Sequence, residues 1–390
     1  FSMIRWSGYF VLIFSLFMSS GCLKQSAPIL PDEDTQSSLK ADESLVFFPT
    51  IARFIETGKE GLKIELPIHA YIFEPETSER IKNFLTKIMV WVLGVTPAEL
   101  KNKFYEERSK LFLVDHERGK NLSIEVEDDE KIESHKLVRT LPNGHSQTNL
   151  QIVYNSKTII HRGKLMYRLV NEHKGSEVFY GEAFILKDYG VTVVSDIDDT
   201  IKFSNVKNKR ELLRNSFLRE YKPIEGMSHL YQKMKNFFQK ENVHFLYLSS
   251  SPWQLFKPLR NFIKDFSFPE GTFDLKLIRL ADKSFFDLFK TRKQFKLDRL
   301  RGLIERFPDR KYILVGDSGE RDPEIYAQAA REFPRQIQKI WIREVDEVSN
   351  DLRFEQAFQG IPREMWKVFR DPKELDTFPE LETCEAQLQQ

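Results

Sequence analysis

Asp196 and Asp198 stand two residues apart, directly after the run Val191-Thr192-Val193-Val194-Ser195, and Thr200 follows two residues later. A β-branched apolar run of this length predicts a buried strand. Residues just past its C-terminal end would lie at the edge where parallel sheets bind ligands. Two carboxylates in one small volume repel unless a cation neutralises them or one holds a proton. The combination predicts the nucleophile loop of a magnesium-dependent phosphohydrolase. A calcium loop is excluded, because Ile201 stands where it needs Gly and Lys207 where it needs Glu.

Polar groups also follow later strand patterns. Val243 to Leu248 leads into Ser249-Ser250-Ser251-Pro252-Trp253, and Lys311 to Val315 leads into Gly316-Asp317, with Asp322-Pro323 beyond. Helical patterns intervene at Leu212–Phe217, Met227–Lys240, Trp253–Phe266, Lys290–Phe307 and Pro323–Phe333, and a last strand is expected at Gln338–Arg343. The alternation predicts a parallel, three-layer α/β domain. Its strand ends would gather Asp196, Asp198, Ser249, Asp317 and Asp322 on one edge. Asp322 before Pro323 also suits a helix N-cap, and Thr200 a simple cap.

The strings Ser195 to Lys202, Leu212 to Phe217, Ser249 to Trp253, Gly316 to Glu324 and Ile340 to Arg343 resemble the haloacid dehalogenase superfamily. Within it they are similar to the phosphatidate phosphatase family typified by the actin-patch-associated enzyme and related to the lipin-type catalytic domain. The resemblance is strong over about residues 190–347 and extends weakly over the preceding region. It implies a haloacid-dehalogenase-like parallel Rossmannoid sheet, Mg²⁺ as cofactor and phosphatidate at a membrane surface as substrate.

Together with the chemistry, it implies a role for each residue. Asp196 would attack phosphorus and form an aspartyl-phosphate. Asp198 would protonate the leaving alkoxide and then activate water, which requires it to hold a proton near neutral pH. Thr200 and Ser249 would bond phosphate oxygens. Lys296, twelve residues before Pro308, would balance charge, with Lys293 one turn away as the rival. Asp317 would hold the metal, Asp322 would be a ligand or its partner, and Asp196 and Asp198 complete the set.

The stretches between Thr200 and Val243 and between Ser249 and Lys296 are too short for a sizeable cap. An open site suits a large or membrane-embedded phosphomonoester. Phe285, Phe286, Leu288 and Phe289 read equally as a bilayer contact or as core. Lys202, Lys207, Lys209 and Arg210 are placed to draw an anionic head group or membrane surface, although Lys209 and Arg210 read better as a solvated helix start.

The chain ahead of this domain divides into three parts, and one more follows it. Arg5, the apolar run Tyr9 to Met18 and Ser19-Ser20-Gly21-Cys22 read as a signal peptide over 1–22. Its end resembles a bacterial lipobox, so the expectation is export and lipid anchoring to a cell-envelope membrane through Cys22; an ordinary secretory signal competes. Residues 23–44 read as a flexible tether. Residues 45–188 read as a smaller β-rich domain, a sandwich or partial barrel with a helical insertion at Ser78–Leu93 and Ala98–Lys110. Its strands are expected from Leu62 onward, and its dispersed histidines form no metal-ligand spacing. The catalytic domain occupies 189–347, and 348–390 reads as a final helix and a loose tail.

With 390 residues, 41% apolar and 30% charged, the chain is globular and long enough for two cores. A net charge of +1 provides no field for nucleic acid. Cys22 and Cys384, at opposite ends, make no disulfide framework. Two other readings compete with a lipid phosphatase. One is an envelope phosphomonoesterase acting on soluble or protein substrates; the other is a non-catalytic surface lipoprotein that binds a partner.

Overall fold

The structure is a computed structural model that describes residues 36–58, 61–75, 78–112, 114–126, 133–154, 163–239, 242–277, 293–375 and 378. The expected signal segment with Cys22, most of the tether, Phe285, Phe286, Leu288, Phe289 and Cys384 lie outside the described residues. Among the described residues, no helix is long and apolar enough to cross a membrane.

The first half builds a nine-stranded sheet: β1 (Ser44–Phe48), β2 (Thr50–Gly58), β3 (Gly61–Pro75), β4 (Val114–His116), β5 (Ser123–Val126), β6 (Glu133–Lys136), β7 (His145–Tyr154), β8 (Lys164–Leu169) and β9 (Tyr180–Leu186). Helices α1 (Glu79–Leu93) and α2 (Lys103–Ser109) are inserted between β3 and β4. The sequence pattern predicts no strand before Leu62, yet β1 and β2, divided by Pro49, both pair antiparallel with β3. Pro67, the expected break, lies inside β3. It falls between the β2 pairing, which ends at Glu65, and the β1 pairing, which starts at His69. On that edge no ladder bond needs its missing N–H. Ile64, Leu66, Ile68, Ala70 and Ile72 alternate along β3 and share one core with Ile124 of β5 and Leu165 of β8, so the sheet curls over itself. Leu39 bridges His173 and is buried in the same core, so the tether does not extend to residue 44.

The second half contains β10 (Val191–Ser195), α3 (Lys209–Phe217), α4 (Met227–Phe237), β11 (His244–Pro252), α5 (Phe256–Asp265), β12 (Thr272–Lys276), α6 (Lys293–Arg306), β13 (Lys311–Asp317), α7 (Asp322–Glu332), β14 (Ile337–Arg343), α8 (Asp351–Ala357) and β15 (Trp366–Phe369). Every pairing is parallel, in the order β12-β11-β10-β13-β14-β15. Successive residues of the central strands feed opposite faces. Val193, Phe245 and Ile313 pack with Leu213, Leu230 and Leu259 of α3, α4 and α5. Val194, Leu246 and Leu314 pack with Leu300 of α6 and Ile325 of α7. This is the expected parallel, three-layer α/β class. The tail departs from expectation, because β15 adds a sixth strand beside β14.

Named contacts join the two halves. The Phe48 ring lies 4.3 Å from that of Trp253, tilted by 47°, just beyond the serine run of β11. Arg108 of α2 donates from Nη1 to the carbonyls of Ser216 and Arg219 at 2.9 and 2.7 Å and lies 3.7 Å over the Tyr221 ring. Fully buried Arg310 donates to the carbonyls of Lys187, Tyr189, Val191 and Asn242, tying the start of β10 to the turn before β11.

Candidate active site

β10 lies between β11 and β13, with Ser195 level with Tyr247 and with Val315. Asp196, Ser249 and Asp317 therefore emerge together at the carboxyl edge of the sheet. The Asp196 N–H donates to Val315 O at 2.9 Å, which holds the loop against β13.

Asp196 is buried and aimed from two sides. Lys296 Nζ donates to its Oδ1 at 2.7 Å, and Thr200 Oγ1 to its Oδ2 at 3.0 Å. Lys296 also donates to Asp322 Oδ1 at 2.6 Å and lies 3.6 Å from Glu320 Oε2. Leu297, Leu300 and Ile304 anchor α6 in the core and so fix where Lys296 projects. The side chain of Lys293 lies outside the described set. Asp322 opens α7 yet bonds lysine rather than capping the helix. Gly316 makes this approach possible, since a Cβ there would stand 2.5 Å from Asp322 Oδ2.

Asp196, Asp317 and Asp322 present oxygens within 4.8 Å of one another. Asp317 Oδ1 accepts from Gly319 N at 2.6 Å, but Oδ2 of Asp317 and Oδ2 of Asp322 are buried without a partner. Three buried carboxylates, two with orphaned oxygens, fit a hard divalent cation. Burial, reinforced by the neighbouring acids, holds Asp317 well above the ordinary carboxylate range. Asp196 is likewise raised by burial, with Lys296 opposing. Burial works against a charged Lys296, but Asp196, Asp322 and Glu320 outweigh it and raise its pKa well above normal.

Asp198 occupies a different environment. Its Oδ1 accepts from Ser204 Oγ at 2.6 Å and lies 2.7 Å from Lys202 Nζ. Its Oδ2 accepts from Ser251 Oγ at 2.9 Å and Ser249 Oγ at 3.3 Å. The side chain is thus not in the three-carboxylate cluster. Burial alone would raise its pKa, but Lys202 and the hydroxyl donors hold it below the ordinary value. Lys202 itself is buried against Asp198 and the Tyr221 ring, so it is not available to a head group at the surface.

Several contributors are absent from the sequence reading. Asp199, at φ 57°, turns the loop, and its carboxylate accepts from the N–H groups of Ser204, Asn205 and Val206. That turn brings Lys202 and Ser204 back to Asp198. Ser251 is legible in principle, because two residues past Ser249 on an extended strand is the same face.

Residues 191–344 match the family described as phosphatidate phosphatase APP1, catalytic domain. The chain is 36% identical over 171 residues to the phosphatidate phosphatase APP1 of Saccharomyces cerevisiae, covering 43% of this chain and 28% of that protein. It is 31% identical over 185 residues to an uncharacterized Schizosaccharomyces pombe protein, covering 46% and 29%. The chain therefore spans under a third of the length of these curated relatives. Among solved structures, a putative beta-phosphoglucomutase from Thermotoga maritima is 13% identical with a TM-score of 0.27, covering 47% of this chain and 95% of that one. That likeness is too low to carry an argument. Every converged side chain from Asp196 to Asp322 lies inside the segment 191–344, which is similar to the catalytic domain of the APP1 phosphatidate phosphatase family.

Proposed function

We propose that this chain is a magnesium-dependent phosphatidate phosphatase working through an aspartyl-phosphate. The observation that carries the proposal is the meeting of Asp196, Lys296, Asp317 and Asp322 at one strand edge, with Asp198 beside them, inside the family-matched segment. The Asp196 carboxylate attacks phosphorus, and the bond to the leaving alkoxide breaks. Lys296 aims Asp196 and opposes the burial that disfavours its carboxylate. The negative charge of an arriving phosphate raises the proton affinity of Asp198. Asp198 passes that proton to the alkoxide and then takes one from the water that hydrolyses the acyl phosphate. Mg²⁺ held by Asp196, Asp317 and Asp322 would supply charge neutralisation at the phosphoryl oxygens.

A pocket of about 30 Å³ beside Asp198 has a mixed wall, apolar at Val206, Leu212, Phe217 and Leu255 and polar at Ser216, Ser250, Ser251 and Glu320; the lipid substrate is carried by the family match alone. The test is phosphate release from phosphatidate in mixed micelles with Mg²⁺, beside a panel of soluble monoesters, for wild type and Asp196→Asn. Release from phosphatidate that is lost in the variant is expected. Turnover of soluble monoesters alone would remove the lipid claim, and no turnover of any monoester would favour a partner-binding lipoprotein.

A further inference from the structure

A cleft of about 530 Å³ opens between the two halves of the molecule, within the size range of small-molecule sites. One wall comes from β2, β3 and β7, the other from β12, α6 and Trp253. None of the carboxylate-site residues lines it.

Three polar side chains on these walls have unused hydrogen-bonding capacity. Arg299 Nε lies 3.4 Å from Asp274 Oδ1, an ion contact longer than an ordinary hydrogen bond, and its guanidinium lies 5.4 Å from the Phe295 ring centre. Among the described residues, neither side chain makes any other polar bond, and the Gln147 amide makes none. The other carboxylates of the cleft are already engaged. Glu65 accepts from Arg53 Nε at 2.6 Å and Asn149 Nδ2 at 2.7 Å, and Asp298 accepts from Gln294 and Arg301. Asp274 keeps 24% of its side chain accessible. Burial nonetheless pushes its carboxyl up to about 6 against the pull of Arg299. It is a partly buried carboxylate that opens on the cleft.

Gly302 leaves the cleft open. It sits inside α6, where glycine costs about 1 kcal/mol relative to alanine. A Cβ built there meets nothing within 4 Å.

The charges lining the cleft indicate the ligand class. Arg299 is matched by Asp274, and Arg306 by Glu65 at 3.4 Å. An anion would meet the carboxylates and a cation the guanidiniums. Neighbouring hydroxyls face no such conflict, because one can donate to Asp274 while the next accepts from Arg299. We propose that the cleft binds an uncharged polyol or sugar, with vicinal hydroxyls bridging Asp274 and Arg299 and Gln147 bonding a third. The site is separate from the phosphatase reading and stands or falls without it.

Saturation-transfer NMR on the full chain tests this with glycerol, myo-inositol and glucose as probes and with putrescine and inorganic phosphate as charged controls. Saturable binding of at least one polyol, with Kd of about 1 mM or tighter, is expected. Gly302→Leu, which fills the cleft and improves the helix, should weaken it by at least about tenfold while melting temperature and phosphate release hold. Asp274→Ala should weaken it as well, and provides the answer if Gly302→Leu fails to fold. The proposal is overturned if no polyol saturates or if both folded variants bind as wild type does. A charged control that binds in a Gly302-dependent way where polyols do not would also overturn it.

Discussion

Lys202 Nζ lies 2.7 Å from Asp198 Oδ1, and neither side chain is more than 13% exposed. Lys296 stands at the same 2.7 Å from Asp196 Oδ1. Each aspartate of the loop therefore has its own buried lysine, one supplied by the loop itself and one by α6. The pairing divides the labour. Asp196 is shared with the carboxylate cluster, while Asp198 is isolated from it by Lys202, Ser204 and Ser251.

Replacing Lys202 should separate these roles. Lys202→Met leaves Asp198 buried without its cation, a change that typically costs about 3–5 kcal/mol. It also disturbs the proposed acid/base group, so kcat should fall by about 10²–10⁴-fold. Steady-state kinetics on phosphatidate beside urea unfolding would measure both. A folded variant with wild-type kcat would show that Asp198 works without Lys202.

The strand ends are legible in the sequence because apolar runs stop abruptly at Asp196, Ser249 and Asp317, and parallel topology places all three on one edge. Lys296 is legible through the family resemblance. Lys202 reads as a surface charge because the turn that buries it depends on Asp199 adopting positive φ, which local pattern does not reveal. The strands β1 and β2 escape the pattern because Pro49 interrupts their run, although β3 pairs with both sides of the break. β15 escapes it because its four residues become a strand only beside β14. Arg108 carries no periodic signal, since its burial is set by Ser216, Arg219 and Tyr221, more than 100 residues away.

Gly316→Ala should damage the site without touching a charged group. Its Cβ would lie 2.5 Å from Asp322 Oδ2 and 2.7 Å from the Tyr326 ring. Asp322 must shift, which loosens both Lys296 and the cation cluster. The expected outcome is a fall in kcat of about 10²-fold, the scale of a misplacement of roughly 1 Å. Magnesium titrations of activity should show weaker apparent affinity. Wild-type kinetics at all magnesium concentrations would mean that Asp322 has room to move.

Arg108→Ala tests whether the helical insertion braces the catalytic half. The substitution leaves the carbonyls of Ser216 and Arg219 without their buried donor and removes the contact with Tyr221. Hydrogen bonds from a charged donor are worth about 1.5–3 kcal/mol each, so a loss of about 3 kcal/mol in urea unfolding is expected. A loss below about 0.5 kcal/mol, the range of ordinary surface substitutions, would show that the insertion packs without this clamp.

Asp274 should make stability fall with rising pH. In the folded chain it holds its proton to about 6, because burial disfavours the carboxylate more than Arg299 favours it. In the unfolded chain it releases the proton near about 3.9. Between those values the folded chain binds more protons, so folding weakens as pH rises, and the loss is complete above the folded value. Asp274→Asn removes this titration. The variant should match wild type near pH 4 and exceed it by about 1–2 kcal/mol at pH 8, a figure reduced for the carboxyl's partial contact with solvent. Urea unfolding at several pH values measures the difference. A gap that stays constant with pH would place the Asp274 carboxyl at an ordinary pKa.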